Sequence, residues 1–182
     1  MSRGAPDAVV GVHWPASLTT ARLVLRPIET SDVPAISRLW TDPEVRRHLG
    51  GPVAEDEVRV REQRCVAAPG AFSVVRRADG VVVGLVTVQP GARDGRTEVS
   101  YQLLPEYWGC GYAHEAVAAS VDWALDEVPS VAATVVAVTQ EANRRSRRLL
   151  EGLGAVLVDT FVEWGEQQVL YVLERQSMPA AD

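Results

Sequence analysis

The sequence predicts a mixed α/β domain, a twisted and mostly antiparallel sheet with helices on both faces. Three observations lead there. Short β-rich stretches alternate apolar and polar residues, two later segments switch to helical periodicity, and the order along the chain is β, two or three helices, three antiparallel strands, α, β, α, β, β.

The elements follow in order. Residues 1–17 hold Gly4, Pro6, Gly11 and Pro15 without a sustained period, and are expected to form a flexible tail before one domain over 18–176, with a short tail at 177–182. Arg22–Ile28 alternates as a strand. Thr30 or Ser31 is placed to cap a helix with Pro34 in its first turn and Ile36, Leu39 and Trp40 on its apolar face. Asp42-Pro43 ends it; a helical turn at Glu44–Leu49 and a polar helix at about Ala54–Ala67 follow. Phe72–Arg77 and Val81–Val88 flank Asp79-Gly80, read as a two-residue hairpin turn. After a loop at Gln89–Arg96, Thr97–Leu104 is a third strand stopped by Pro105. Ala113, Ala116, Val117, Val121, Ala124 and Leu125 share one face of a helix, and Ala132–Val138 is a β-branched strand. A second amphipathic helix covers about Asn143–Leu153, with Gly154 placed to end it. Val156–Val162 and Gln168–Glu174 close the chain as a hairpin around Trp164-Gly165-Glu166.

Composition narrows the function. The chain has 182 residues, a net charge of −6 and 47% hydrophobic residues, enough for one core. All of its basic residues are arginines. The acidic balance argues against a nucleic-acid partner, which needs a basic surface. Cys65 and Cys110 form no disulfide framework and no Cys-x-x-Cys pair, which suits a reducing compartment. No signal peptide and no apolar run near the ~20 residues of a membrane helix is evident, so the expectation is a cytoplasmic protein without a membrane partner. His13, His48 and His114 sit in no cluster of metal-ligand spacing, and no metal is expected.

The most informative segment is Pro105-Glu106-Tyr107-Trp108-Gly109-Cys110-Gly111-Tyr112-Ala113-His114-Glu115-Ala116. A strand ends at proline and two glycines open an amphipathic helix. Glycines let the backbone approach a ligand closely, and the helix N-terminus adds unpaired donors and about half a positive charge, a natural pyrophosphate site. A Walker loop needs lysine, which the chain lacks; a dinucleotide fingerprint needs a third glycine where His114 stands and a βαβ setting. A plain strand-to-helix turn remains the alternative.

The surroundings favour a cofactor loop. This stretch resembles the acetyl-CoA pyrophosphate motif of the GNAT superfamily, Gln/Arg-x-x-Gly-x-Gly/Ala, with Gly111 and Ala113 at matching positions and Trp108 in place of Gln/Arg. Trp108 there, the opening Thr20-Ala21-Arg22-Leu23-Val24-Leu25-Arg26-Pro27 and the segment Trp40-Thr41-Asp42-Pro43-Glu44-Val45 resemble the branch containing the RimJ and RimL ribosomal-protein N-terminal acetyltransferases. A second motif, Asn143-Arg144-Arg145-Ser146 leading to Leu150-Glu151-Gly152-Leu153-Gly154-Ala155, follows the next strand. The likeness runs from Thr20 to about Glu174. It implies an acetyl-CoA-dependent N-acetyltransferase, with Trp108, Gly109, Cys110, Gly111, Tyr112 and Ala113 at the pyrophosphate and the backbone near Leu103 and Leu104 holding the thioester and pantetheine. Cys110 departs from the Arg or Lys frequent there, a modest loss where backbone amides bind phosphate.

Transfer from a thioester to an amine needs a proton acceptor, donors for the oxyanion and support for the departing thiolate. Period two puts Glu98, Ser100 and Gln102 on one face of their strand and Val99, Tyr101 and Leu103 on the other. The resemblance makes Glu98 the candidate base; the plainer account is a solvated carboxylate near Arg93 and Arg96. Glu163, beside the last hairpin turn, is the rival. Asn143 caps its helix and, by resemblance, also binds the pantetheine arm. Ser146, one turn on, is the candidate general acid toward the sulfur, or else a surface hydroxyl. The neighbouring arginines read as a solvated face from which one or two meet the 3′-phosphate. His48 is either an exposed helix residue or a substrate contact. The implied partner is an amine acceptor, a peptide N-terminus first and a polyamine, amino sugar or antibiotic amine second, with the protein a monomer or homodimer. A non-catalytic acyl-CoA-binding regulator would keep the same loop, but the presence of both Glu98 and Ser146 favours an enzyme.

Overall fold

A computed structural model describes residues 14–130 and 132–175. It holds one eight-stranded sheet: β1 (Leu18–Thr19), β2 (Leu23–Pro27), β3 (Ala71–Arg76), β4 (Val82–Arg93), β5 (Arg96–Leu103), β6 (Thr134–Gln140), β7 (Val156–Glu163) and β8 (Glu166–Glu174), in the order β1-β2-β3-β4-β5-β6-β8-β7. Only β5 and β6 run parallel. The mixed, mostly antiparallel sheet is as the sequence predicts.

The helices are α1 (Val33–Thr41), α2 (Pro43–Arg46), α3 (Glu55–Cys65), α4 (Tyr112–Glu127) and α5 (Arg144–Gly152). Alternation along the strands sends one set of side chains to each face, and each set meets its own helices. On one face Leu23, Leu25, Phe72, Val86, Val88 and Val99 pack with Val117, Val121 and Leu150 of α4 and α5. On the other, Ile28, Leu85 and Leu104 pack with Ile36, Leu39 and Trp40 of α1 and Val58 of α3. Trp40 is thus core, as its place on the apolar face implies.

Several local expectations are corrected. The first helix is not capped by Thr30 or Ser31. Thr30–Asp32 is a 3₁₀ turn capped by Glu29, and the Asp32 carboxylate accepts from the Glu29 N–H at 2.9 Å. Asp79-Gly80 does not form a two-residue turn: Arg76 N donates to Val81 O and Gly80 N to Arg76 O, and five residues, 77–81, connect the strands. The expected loop Gln89–Arg96 is mostly strand. β4 and β5 run on to an Arg93↔Arg96 pair, and Asp94 and Gly95, both at positive φ, make the tight turn whose twist matches the hairpin. Trp164-Gly165 turns likewise. β1 is too short for any period to announce it.

The expected N-terminal tail lies outside the described residues as far as 13, and so does the C-terminal tail over 177–182. Trp14 is packed: its ring meets Phe72 edge-on at 5.0 Å, and Phe72 meets Trp123 at 5.2 Å. No helix among the described residues is long and apolar enough to cross a membrane.

Candidate active site

The parallel pair makes the site. β5 and β6 are in register only at Thr97↔Val135 and Glu98↔Val136. Beyond those two pairs β5 continues against β4 and β6 against β8, but no longer against each other. The strands splay, and Val99–Leu103 with Ala137–Thr139 line a cavity of about 370 Å³. One backbone edge of each strand faces that gap, and buried backbone donors and acceptors require partners.

The start of α4 lies at one end of the gap. Gly109 and Gly111 have φ of 76° and 78°, a left-handed turn that side chains disfavour. Gly111 is the N-cap and offers no side-chain acceptor to the first-turn amides. From beneath, Arg22 braces the loop by donating to Cys110 O at 2.9 Å and stacking over Tyr112 at 4.8 Å. Glu115, in the first turn of α4, accepts from the Thr20 hydroxyl at 2.6 Å, the Arg22 N–H at 2.7 Å and Arg22 Nε at 2.7 Å. Burial would raise its pKa, but these hydrogen bonds outweigh it and hold the carboxyl below its ordinary value.

Trp108 donates its indole N–H to Leu103 O at 2.8 Å, and the Arg145 guanidinium lies over the indole ring at 4.1 Å. Leu103, Trp108, Ala113, Asn143, Arg145 and Ser146 all line the cavity. Gly109, Cys110, Gly111 and Tyr112 form the turn beside it. Leu104 points away: its side chain belongs to the core under α1 and its N–H donates to Val83 O at 3.0 Å.

Asn143 caps α5 by accepting from the Ser146 N–H at 3.2 Å. The Ser146 hydroxyl lies 2.8 Å from the Tyr101 hydroxyl, which reaches across from β5. Burial pushes Tyr101 up to about 12, against the pull of its Ser146 hydrogen bond, so its phenol stays protonated at neutral pH.

On the opposite side His48 lines the cavity and its Nδ1 lies 3.1 Å from Gln140 Oε1 at the end of β6. Gln102 also lines it, and its Oε1 is buried without a hydrogen-bond partner among the described residues. Glu98 does not line the cavity. It sits at the last registered pair of the parallel strands, with Arg93 Nε 3.4 Å from its carboxylate, and the same guanidinium reaches Glu163 at 3.4 Å. The two candidate carboxylates therefore share one arginine.

Sequence reasoning thus missed Tyr101, the stacked Arg145, the Arg22–Glu115 brace and the His48–Gln140 tie. Alternation had already put Tyr101 beside Val99 and Leu103; nothing local says that α5 faces it. Among the described residues no group of three or more His, Cys, Asp or Glu is gathered to hold a metal.

Comparison with known proteins supplies the wider frame. Residues 22–156 match the acetyltransferase (GNAT) domain family. The FsC-acetyl coenzyme A-N(2)-transacetylase of Aspergillus fumigatus is 33% identical over 159 residues, covering 80% of this chain and 67% of that protein. A GNAT-family acetyltransferase from Bacillus anthracis superposes with a TM-score of 0.78 at 20% identity, over 89% of this chain and all (100%) of the other. Mycobacterium smegmatis RimJ, solved with CoA-disulfide, superposes at 0.69 with 20% identity, over 94% and 93% of the two chains.

Proposed function

The chain belongs to the GNAT acetyltransferase family and uses acetyl-CoA as acyl donor, and from that premise we propose that it acetylates a primary amine of a small molecule, by direct transfer in a ternary complex. The observation that carries the acceptor size is the His48–Gln140 tie. It joins the turn after α2 to the end of β6, where Gln140 pairs with Gln168 of the last hairpin. A peptide N-terminus would have to thread between the helices of residues 31–67 and that hairpin, and the tie crosses this route. A small amine needs only the space beside the tie. The Aspergillus relative is named as an acetyl coenzyme A-N(2)-transacetylase, in keeping with transfer to a nitrogen.

Leu104 faces the core and takes no part, but the glycine turn, Leu103, Asn143, Ser146 and Glu98 each have a part in this reading. Amides of the turn from Gly109 to Ala113 take the pyrophosphate, helped by the dipole of α4. Pantetheine lies between the splayed strands along Leu103, where its amides pair with the exposed backbone edges as an added strand would. Asn143 orients the start of α5, and Ser146 faces the departing sulfur. Gln102 Oε1 accepts from the amine or a hydroxyl of the acceptor. Glu98 takes the proton through a water, since its carboxylate faces Arg93 rather than the cavity. Arg93 Nε, 3.4 Å from that carboxylate, fixes its orientation.

Incubation with acetyl-CoA and a panel of amino acids, amino sugars, aminoglycosides and polyamines, beside a peptide library, tests the reading by thiol release. Turnover of small amines is expected. Turnover confined to peptides would overturn the small-acceptor reading and leave the acetyltransferase intact.

A further inference from the structure

We propose that Tyr101 is a positioning residue for the leaving sulfur, acting through Ser146: the Tyr101 hydroxyl donates to Ser146 Oγ and thereby aims the serine proton at the developing thiolate. The inference rests on the reading that Ser146 faces that sulfur. Its geometry is independent of family likeness. Tyr101 comes from β5 and Ser146 from α5, 45 residues apart, and their hydroxyls meet at 2.8 Å in the wall of the cavity opened by the splayed strands.

A lone serine hydroxyl rotates freely and is as ready to donate to a nearby carbonyl as to sulfur. Here the two ends of the residue are held separately. The Asn143 side chain fixes the Ser146 N–H at 3.2 Å, and the Tyr101 phenol occupies a lone pair of Oγ. The remaining donor direction points to whatever the cavity contains. The only other acceptor within reach of the phenol is the main-chain oxygen of the same serine, at 3.4 Å, so the phenol has no competing task among the described residues. Burial keeps it protonated throughout the working range, which makes it a constant donor.

The step balances without tyrosinate. When the tetrahedral intermediate collapses, the C–S bond breaks and its electron pair goes to sulfur. The acceptor nitrogen sheds its proton through the base to solvent, and Ser146 and Tyr101 keep their own protons. Their contribution is a two-member chain of hydrogen bonds that strengthens as charge grows on sulfur.

CoA itself, without any acceptor, probes this. A site that favours thiolate lowers the pKa of the bound thiol, so CoA should gain affinity over desulfo-CoA as pH crosses the thiol range, about 8.5 for a cysteine. Calorimetry at about pH 7 and about pH 9.5 should show the CoA to desulfo-CoA affinity ratio rising roughly five- to tenfold in the wild type, as a one-unit shift requires. In Tyr101→Phe the rise should shrink to about twofold or less, and Ser146→Ala should match it. Desulfo-CoA affinity should stay unchanged in both variants, which also reports that they fold. A flat ratio in the wild type, or an undiminished rise in Tyr101→Phe, overturns the proposal. Loss of desulfo-CoA binding in Tyr101→Phe would make the phenol a structural bridge and overturn it too. Failure of the wild type to bind either ligand would overturn the CoA-site reading, and this inference with it.

Discussion

At the scale of single residues, Gly111 and Asp32 show two ways in which one position governs its surroundings. A Cβ on Gly111 would stand 3.2 Å from Arg22 Nη2 on a backbone at φ +78°. Arg22 has a flexible end and can yield, so the cost of Gly111→Val is mostly the left-handed strain, about 1–2 kcal/mol, relieved by shifting the turn and its amides. Acetyl-CoA affinity measured by calorimetry should drop by at least about tenfold while the circular dichroism spectrum is retained. Cys110 is exposed, and Cys110→Arg should bind CoA as well as the parent or better. Asp32 is 3% exposed and accepts from Arg26, the Glu29 N–H and Ser73. Burial alone would raise its pKa, yet those donors together hold it below its ordinary value. Its stabilisation is therefore fully present above the unfolded value of about 3.9 and is lost as pH falls through the folded one. Asp32→Asn should cost about 3 kcal/mol at pH 7, and the Tm gap to wild type should close below about pH 4. For Glu98→Gln the expected change is a fall in kcat of roughly 10²-fold that shrinks at high pH, where the amine deprotonates unaided. Equal activity in mutant and parent across the neutral range would shift the role to Glu163 or to water.

At the scale of elements, the first turn of α4 is tied to the rest of the molecule by a single carboxylate, while its apolar face packs on the sheet. Glu115 gathers three donors from the segment before β2, so the glycine turn is fastened to that segment. Glu115→Ala should lower Tm and weaken CoA binding about tenfold, whereas Glu115→Gln, which keeps part of the network, should weaken it less. None of this was legible along the chain, because Thr20 and Arg22 stand more than ninety residues from Glu115. What was legible had local causes. The helices α4 and α5, the glycine turn and the Asn143 cap each follow from periodicity or from one residue's conformational preference, and each is where the sequence puts it. The misread turn at Asp79-Gly80 and the tight turn at Asp94-Gly95 carry the same dipeptide chemistry, and only cross-strand register decides which is the short one. Glu98 shows the same limit within the site: alternation gives its face, but the Arg93 bridge to Glu163 depends on two strands far apart in sequence.

At the scale of the whole molecule, the sheet is two slabs. β1–β5 form one and β6, β8 and β7 the other, and between them stand two registered pairs plus the core under α4. Such a joint has a thermodynamic consequence. Openings that part the slabs need break only two rungs of ladder, so amides of β6 and β8 should exchange with deuterium through a partial opening that leaves β2–β4 protected. On the proposed reading, a ligand threaded through the gap would serve as the missing rungs. Any opening that expels it is penalised by its binding free energy, about 2.7 kcal/mol at a hundredfold excess over Kd. Saturating CoA should therefore slow exchange in β6 and β8 by roughly a hundredfold and bring the two slabs toward a single unfolding unit. Equal protection of both slabs without CoA would show that α4 alone already welds them. If the rates do converge on binding, the acyl donor is also the last structural element of the sheet, and the protein's cooperativity is a reading of cellular CoA.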